Sequence, residues 1–298
     1  MLARLQQIVT LSILAVAGWW LVMWWNRFSV LALSGFLFVS LGYSAFLALE
    51  FVALHFMNQN DPVGPAKWRE LLLAWWGETR TAPCVFFWRQ PFRSKVVGDY
   101  LPENGRRGVV FVHGFICNRG LWTPWLKELR AAEHSFVAVN LEPVFGGIDG
   151  YVRIIEAAVQ RVTKATGMLP VLVCHSMGGL AARAWLRATA GDVRVHRVVT
   201  IGTPHHGTWL GQFSPFPNGA QMQRNSKWLR QLQNDEPALG YRQFLCWYSN
   251  CDNIVFPAST GTLRGADNRL VKAVAHVSLA FNPVVMMTTL AVICAATE

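Results

Sequence analysis

Chemistry in this sequence begins with a hydroxyl. Ser176 stands in Cys174-His175-Ser176-Met177-Gly178-Gly179, after the apolar run Val171 to Val173 and before an Ala-rich segment, Leu180 to Ala190. That order describes a buried strand turning sharply into a helix, the geometry that pushes a serine hydroxyl clear of the backbone into a cleft. So crowded a turn needs small residues two before and two after the serine. Gly178 meets this. Cys174 stands where glycine is usual and is small enough to be accommodated.

A serine hydroxyl is a weak nucleophile at neutral pH. It needs a base within hydrogen-bond reach, and the base needs an acid to fix its tautomer and stabilise its cation. On a strand-helix architecture the chain order is serine, acid, histidine. Of the 8 histidines, only His276 lies beyond the last strand candidates, and it is expected on a loop reaching back to Ser176. His205 and His206 follow a strand end too early and are expected to shape the rim of the site. His175 is expected to point away. The expected acid is Asp252, in the turn Ser249-Asn250-Cys251-Asp252-Asn253 after a strand candidate. Asp235, Glu236 and Asp267 read as surface charges. A tetrahedral oxyanion needs two preorganised N–H donors. Met177, at the helix N-terminus, supplies one. Phe115 of His113-Gly114-Phe115 supplies the other, with Gly114 allowing a close backbone approach.

The elements that must position these residues alternate. Gly108 to Val112 is a fully apolar strand candidate, Trp122 to Ala132 a helix, Ser135 to Asn140 a strand. Ile148 to Thr166 places Val152, Ile155, Ala158, Val159 and Val162 at helical spacing. Val195–Ile201, Phe244–Tyr248 and Leu270–Ala273 are further strands. Such alternation calls for a mostly parallel α/β sheet flanked by helices. Residues 207–237, rich in aromatics and in Gly and Pro, are too long for a simple connection and are expected to form a small cap over the serine.

Residues 1–57 have a different character. Ile8 to Trp25 carries no charge and approaches the roughly 20 residues that cross a hydrocarbon core. After Asn26-Arg27, the stretch from Phe28 to Phe56 is again apolar, with Glu50 its only charge. So short a connection makes two helices antiparallel, a transmembrane hairpin. Trp19, Trp20, Trp24 and Trp25 cluster where aromatic rings prefer the membrane interface. Gly35, Ser40, Gly42 and Ser44 would let the helices approach closely. Ala15-Val16-Ala17 resembles a signal cleavage site, but an uninterrupted apolar stretch follows it. Arg4, Lys67, Arg69 and Arg80 lie on one side and Arg27 on the other. Positive-inside counting therefore puts the remainder of the chain on the cytoplasmic face. Residues 58–100 read as a linker with a helical segment from Trp68 to Trp76, either interfacial or an amphipathic core helix. Residues 101–298 read as the catalytic domain.

The chain has 298 residues, a net charge of +10 and 14 tryptophans. Arg4 and Arg27 against Glu50 account for only one unit of that charge. Beside a hydrophobic anchor, the basic surface suits anionic lipid headgroups. There is no zinc-type spacing and no basic run interleaved with aromatics. Neither nucleic acid, nor a metal, nor a cofactor is expected as a partner. The 6 cysteines show no disulfide framework and read as thiols, with one pair, Cys246 and Cys251, near enough in sequence to bond.

Phe111-Val112-His113-Gly114-Phe115, the CHSMGG turn, the run Thr200-Ile201-Gly202-Thr203-Pro204-His205-His206-Gly207-Thr208, the acid turn to Pro257 and His276-Val277-Ser278-Leu279 together resemble the α/β-hydrolase lipases. The likeness is to bacterial triacylglycerol lipases and GPI-inositol-deacylase-like esterases, over about residues 107–282. It implies an α/β-hydrolase fold and hydrolysis of a lipid or other hydrophobic ester through an acyl-serine. It also implies, for an anchored chain, a bacterial inner membrane. The cysteine and the hairpin depart from the pattern. Acyl transfer to an alcohol, or a catalytically silent membrane binding module, would share the same fold.

Overall fold

The computed structural model describes residues 1–189, 194–236 and 241–295. The expected helix end at Ala190 and cap end at Pro237 fall outside them. Two long helices come first, α1 (Leu2–Trp25) and α2 (Ser29–Met57). Next is α3 (Trp68–Pro83), which runs on through a π-helical stretch, Cys84–Arg89, into α4 (Gln90–Phe92). Strands and helices then alternate: β1 (Val109–Val112), α5 (Thr123–Ala131), β2 (Phe136–Ala138), α6 (Val152–Thr166), β3 (Val171–His175), α7 (Met177–Ala188) and β4 (Arg197–Ile201). The short helices α8 (Pro217–Gln221) and α9 (Lys227–Asp235) precede β5 (Phe244–Ser249), β6 (Asp267–Val271), α10 (His276–Leu279) and α11 (Pro283–Ala295).

The strands form one sheet in the order β2-β1-β3-β4-β5-β6, and these pairings are all parallel. The strands are apolar on both faces because helices cover both. Alternation sorts them. Val110, Val112, Leu172, Cys174 and Val198 enter one core with α6 and α7. Val109, Phe111, Val171, Val173 and Val199 enter the other with α5 and α11. Among the described strands, β6, at the edge, is the polar one. Asp267, read as a surface charge, is its exposed first residue, and the strand begins earlier than the apolar residues alone suggested.

Both N-terminal helices are long and apolar enough to cross a membrane, and few of their residues are buried. They pack against each other, and Ala17 and Ala32 are fully buried. Gly35 is required there, because a Cβ would lie 1.9 Å from the Trp20 indole nitrogen. Gly42 has nothing within 4 Å, and the Ser44 hydroxyl meets Thr79 on α3, so neither serves the helix pair.

Neither helix stands clear of the sheet. Gln6 of α1 donates to Gln90 and to the Ile116 carbonyl. At the end of α2, Phe51 and Leu54 are buried against Leu71, Phe256 and Ala275, each such side chain contributing about 1.5–3 kcal/mol. Helix α3 buries Leu71, Ala74 and Glu78 and exposes Trp68, Leu72, Leu73 and Trp76. Residues 58–100 are thus packed onto the sheet domain by one face and present an apolar face outward.

Candidate active site

β1 is followed in sequence by β2 on one side and in space by β3 on the other. Loops leaving β1 and β3 therefore part at their C-terminal ends and open a crevice. The Ser176 turn leaves β3 and the His113-Gly114-Phe115 loop leaves β1. Ser176 has φ 53° and ψ −129°, a region that costs a non-glycine residue about 1–3 kcal/mol and persists only where its surroundings enforce it. They do. The Ser176 N–H donates to the Ile201 carbonyl at 2.9 Å, and the Thr203 hydroxyl donates to the Ser176 carbonyl at 2.8 Å. A Cβ on Gly178 would sit 2.4 Å from the Val112 carbonyl oxygen, and one on Gly179 2.3 Å from Thr203 Oγ1. Gly178 lets α7 start pressed against the end of β1, and Gly179 lets it pass close to Thr203. Cys174 is fully buried beneath the turn.

Gly114 is equally constrained: a Cβ there would be 2.7 Å from Ser176 Cβ. His113 beside it is buried. The Leu141 N–H donates to His113 Nε2 at 3.0 Å, so Nδ1 carries the proton and donates to the Gly114 carbonyl at 2.9 Å. Burial lowers this imidazole to about 4, which keeps it neutral. Because the peptide is planar and trans, fixing the Gly114 carbonyl also fixes the Phe115 N–H on the opposite edge. The Met177 N–H lies at the positive end of α7.

Asp252 and His276 meet as a buried pair. His276 Nδ1 lies 2.9 Å from both Asp252 oxygens. Asp252 Oδ1 also accepts from the Ile254 and Val255 N–H groups, at 3.0 and 2.7 Å. Gly202, at φ +58°, passes beneath the pair, where a Cβ would be 3.0 Å from Asp252 Oδ2 and 3.1 Å from His276 Nδ1. That accounts for the glycine of the Thr200–Thr208 run.

His276 was expected on a loop. It opens α10 instead, because donors at the start of that helix find specific acceptors. Its N–H donates to Asn253 Oδ1, and the Val277 and Ser278 N–H groups donate to Glu78 at 2.8 and 2.9 Å. The Ser278 hydroxyl adds a third bond to Glu78. Burial alone would lower the His276 imidazole. The Asp252 carboxylate, its hydrogen bond and then Glu78 outweigh this and raise it above the ordinary value.

Ser176, His276, His175 and Phe115 line one chamber of about 470 Å³. Its other walls come from α2 (Tyr43, Phe46, Leu47 and Glu50) and from the segment after α3 (Phe86 and Phe87). No residue of 207–236 lines it. Of that stretch, Trp209 stacks on Phe256, and Phe216 stacks on Phe145 beside the chamber-lining Phe115. The covering role falls to α2 and α3.

Three further expectations are corrected. His205 does not reach the rim. It is buried, with Nε2 3.0 Å from the Thr200 hydroxyl and its carbonyl accepting from Arg183. His175 does not point away. Two-residue alternation puts it on the Val173 face, where its ring lies 4.7 Å from that of His276. Glu236 is no surface charge. It takes both arms of the buried Arg183 guanidinium at 2.7 and 2.8 Å. Cys246 and Cys251 are both free thiols.

Asn253, Glu50 and Glu78 were not foreseen in the site. Asn253 bridges, accepting from the His276 N–H and donating to Glu50 at 2.6 Å. The signal for Glu50 was its isolation, since a lone carboxylate in an apolar span is a functional candidate.

A family model described as "Alpha/beta hydrolase family" matches residues 109–289. Among solved structures, the mature form of Bacillus licheniformis lipase BlEst2 is similar over 65% of this chain and 94% of its own, at 16% identity and a TM-score of 0.57. Aspergillus fumigatus lipase B is similar over 64% of this chain and 57% of its own, at 19% identity and a TM-score of 0.53. At such identity the likeness shows the fold. A search of curated proteins returned no match.

Proposed function

We propose, since the chain belongs to the alpha/beta hydrolase family, that it is a membrane-anchored serine hydrolase cleaving lipid-like carboxylic esters through an acyl-serine. The observation that carries this reading is the constellation itself: a strained Ser176 and the buried Asp252–His276 pair open onto one apolar chamber.

Asp252 occupies Nδ1 of His276, which leaves Nε2 as the basic nitrogen. Ser176 Oγ attacks the ester carbonyl while Nε2 takes its proton. The Met177 and Phe115 N–H groups receive the oxyanion, each worth about 3–4 kcal/mol of barrier. His276 returns the proton to the leaving alcohol, and water then repeats the sequence on the acyl-serine. An acceptor alcohol in place of water would make the same intermediate a transferase. A series of p-nitrophenyl esters, followed with and without added alcohols, tests the reading. A burst equal to the enzyme concentration, then steady turnover insensitive to alcohol, is expected. Turnover without any acyl-enzyme would contradict it.

Glu78 acts as a positioning residue, capping the helix that starts at His276. The base is the neutral imidazole, and nearby carboxylates stabilise its cation. Activity should therefore be lost as pH falls through a midpoint above the ordinary histidine value of about 6.5. In Glu78→Gln one stabilising charge is gone, so the midpoint should move to lower pH. A loss of rate with the midpoint unmoved would reduce Glu78 to a purely structural part.

The hairpin holds the domain on one side of the membrane, and Arg4, Lys67, Arg69 and Arg80 assign that side to the cytoplasm. Protease added outside sealed inside-out vesicles should digest the hydrolase domain. Protection there would reverse the orientation.

A further inference from the structure

The chamber has an unusual wall. Tyr43, Phe46 and Leu47 belong to a helix long and apolar enough to span a bilayer, yet they face the same cavity as Ser176. We propose that the substrate is an ester lipid resident in the bilayer, and that its acyl chain enters the chamber sideways past α2, at acyl-chain depth. The proposal rests on the serine hydrolase reading above and names its substrate class and route.

The reach of the hairpin carries the argument. The hydrogen bonds of α2 with α3 start at Tyr43, whose hydroxyl donates to the Thr79 carbonyl at 2.6 Å, and continue at Ser44, whose carbonyl accepts from the Trp75 indole at 2.9 Å. On α1, the residues buried toward the domain are Leu2, Gln6 and Thr10. Residues 11–25 and 29–42 are what remains to enter the membrane. At 1.5 Å per residue they extend only about 21 Å beyond the domain. A hydrocarbon core is about 30 Å thick. The tip carries Trp24, Trp25 and Arg27, residues that belong at an interface. For that tip to reach the far headgroups, the level of Tyr43 to Leu47 must lie inside the near leaflet. A hairpin ending within the bilayer leaves this level immersed as long as the domain face beside it is immersed.

That face is built for immersion. Trp68, Leu72, Leu73 and Trp76 on α3, with Trp88 and Phe92 beyond it, are exposed. An apolar helix face lying in a membrane interface sinks by roughly 5–10 Å, which matches the shortfall in the hairpin's reach. Lys67, Arg69, Arg80, Arg93 and Lys95 are exposed along the same segment, suited to anionic headgroups. The chamber also reaches the surface on this side. Phe46 lines it and is 64% exposed, whereas Ser176 is 6% exposed. A volume of about 470 Å³ falls within the roughly 300–1,000 Å³ of sites that enclose a ligand of a few hundred daltons.

The test uses the full chain in phosphatidylcholine vesicles and two esters with one leaving group: p-nitrophenyl palmitate dissolved in the bilayer and p-nitrophenyl butyrate in water. The readout is the palmitate-to-butyrate ratio of kcat/KM. The wild type should favour palmitate. Leu47→Trp, which narrows the route, should lower the ratio by at least about tenfold, the scale on which a pocket reads a small change in fit. Leu49→Trp, on the exposed face of α2 away from the chamber, should keep it. If Leu47→Trp does not fold, Leu47→Ala must shift the ratio toward palmitate. A wild type favouring butyrate, a Leu47 ratio equal to wild type, or an equal fall in Leu49→Trp overturns the lateral route. Fluorophosphonate labelling of Ser176 in the same vesicles separates the two readings. Labelling with an unaltered ratio removes only the route, whereas no labelling removes the hydrolase reading on which it rests.

Discussion

Ser176→Ala should abolish ester turnover, lowering kcat by about 10,000- to 1,000,000-fold, as loss of a serine nucleophile does elsewhere. The size of the effect follows from where the charge goes. Without Oγ there is no acyl-enzyme, and the only path left is attack by water on an ester that the chamber still binds. KM, where measurable, should therefore change little. The fold should survive. Alanine meets the same φ of 53° at similar cost, and the two backbone bonds that enforce it, Ser176 N–H to Ile201 and Thr203 Oγ1 to the Ser176 carbonyl, do not use the side chain. Steady-state hydrolysis of a p-nitrophenyl ester checks the rate, and an unchanged thermal transition checks the fold. Activity within tenfold of wild type would mean that another group attacks.

Asp252→Asn should cost about 10,000-fold in kcat. The carboxylate accepts on every side: from Ile254, from Val255 and from His276 Nδ1. An amide keeps one oxygen for the backbone donors and turns its NH₂ toward the imidazole. Nδ1 then becomes the acceptor, the proton moves to Nε2, and the nitrogen facing the serine can no longer take a proton. Residual activity should also titrate at lower pH, because the largest stabiliser of the imidazolium has gone. Kinetics across pH measure both effects. A modest loss with an unmoved pH midpoint would assign the acid to another residue.

How much of this was legible depended on sequence distance. Ser176, Asp252 and His276 could be singled out because each follows a strand candidate in the chain order that the proposed chemistry requires. The strands themselves were legible because burial on both faces leaves apolar runs. β6 was less so, since an edge strand with Asp267, Asn268 and Arg269 has no apolar pattern to read. The cover of the site was missed for a physical reason. Aromatics in 207–237 suggested a cap, but aromatics fill cores as readily, and Trp209 and Phe216 pack on Phe256 and Phe145. The residues that do cover Ser176 lie far from it in sequence, on α2 and after α3, and composition alone assigned α2 to the bilayer. Glu78 reaches Val277 across |i−j| = 199 and Glu50 reaches Asn253 across 203. Only folding brings such pairs together. His205 illustrates the converse: a histidine within a motif is buried as a core residue, hydrogen-bonded to Thr200.

The packing of α2 and α3 on the turns that carry Asp252 and His276 gives α2 a role in the site itself. Glu50, Asn58 and Asp61 bond Asn253, Asn250 and Ser259. Helix α2 and the residues that follow it therefore help to hold the loop that carries Asp252.

The most direct measurement is covalent. The full chain in vesicles is treated with a fluorophosphonate and digested, and the modified peptide is identified by mass spectrometry. The expected result is a single adduct on Ser176, formed in the native chain and lost both on heat denaturation and in Ser176→Ala. A native chain that stays unmodified, or that carries the adduct on another residue, would contradict the assignment of Ser176 as the nucleophile.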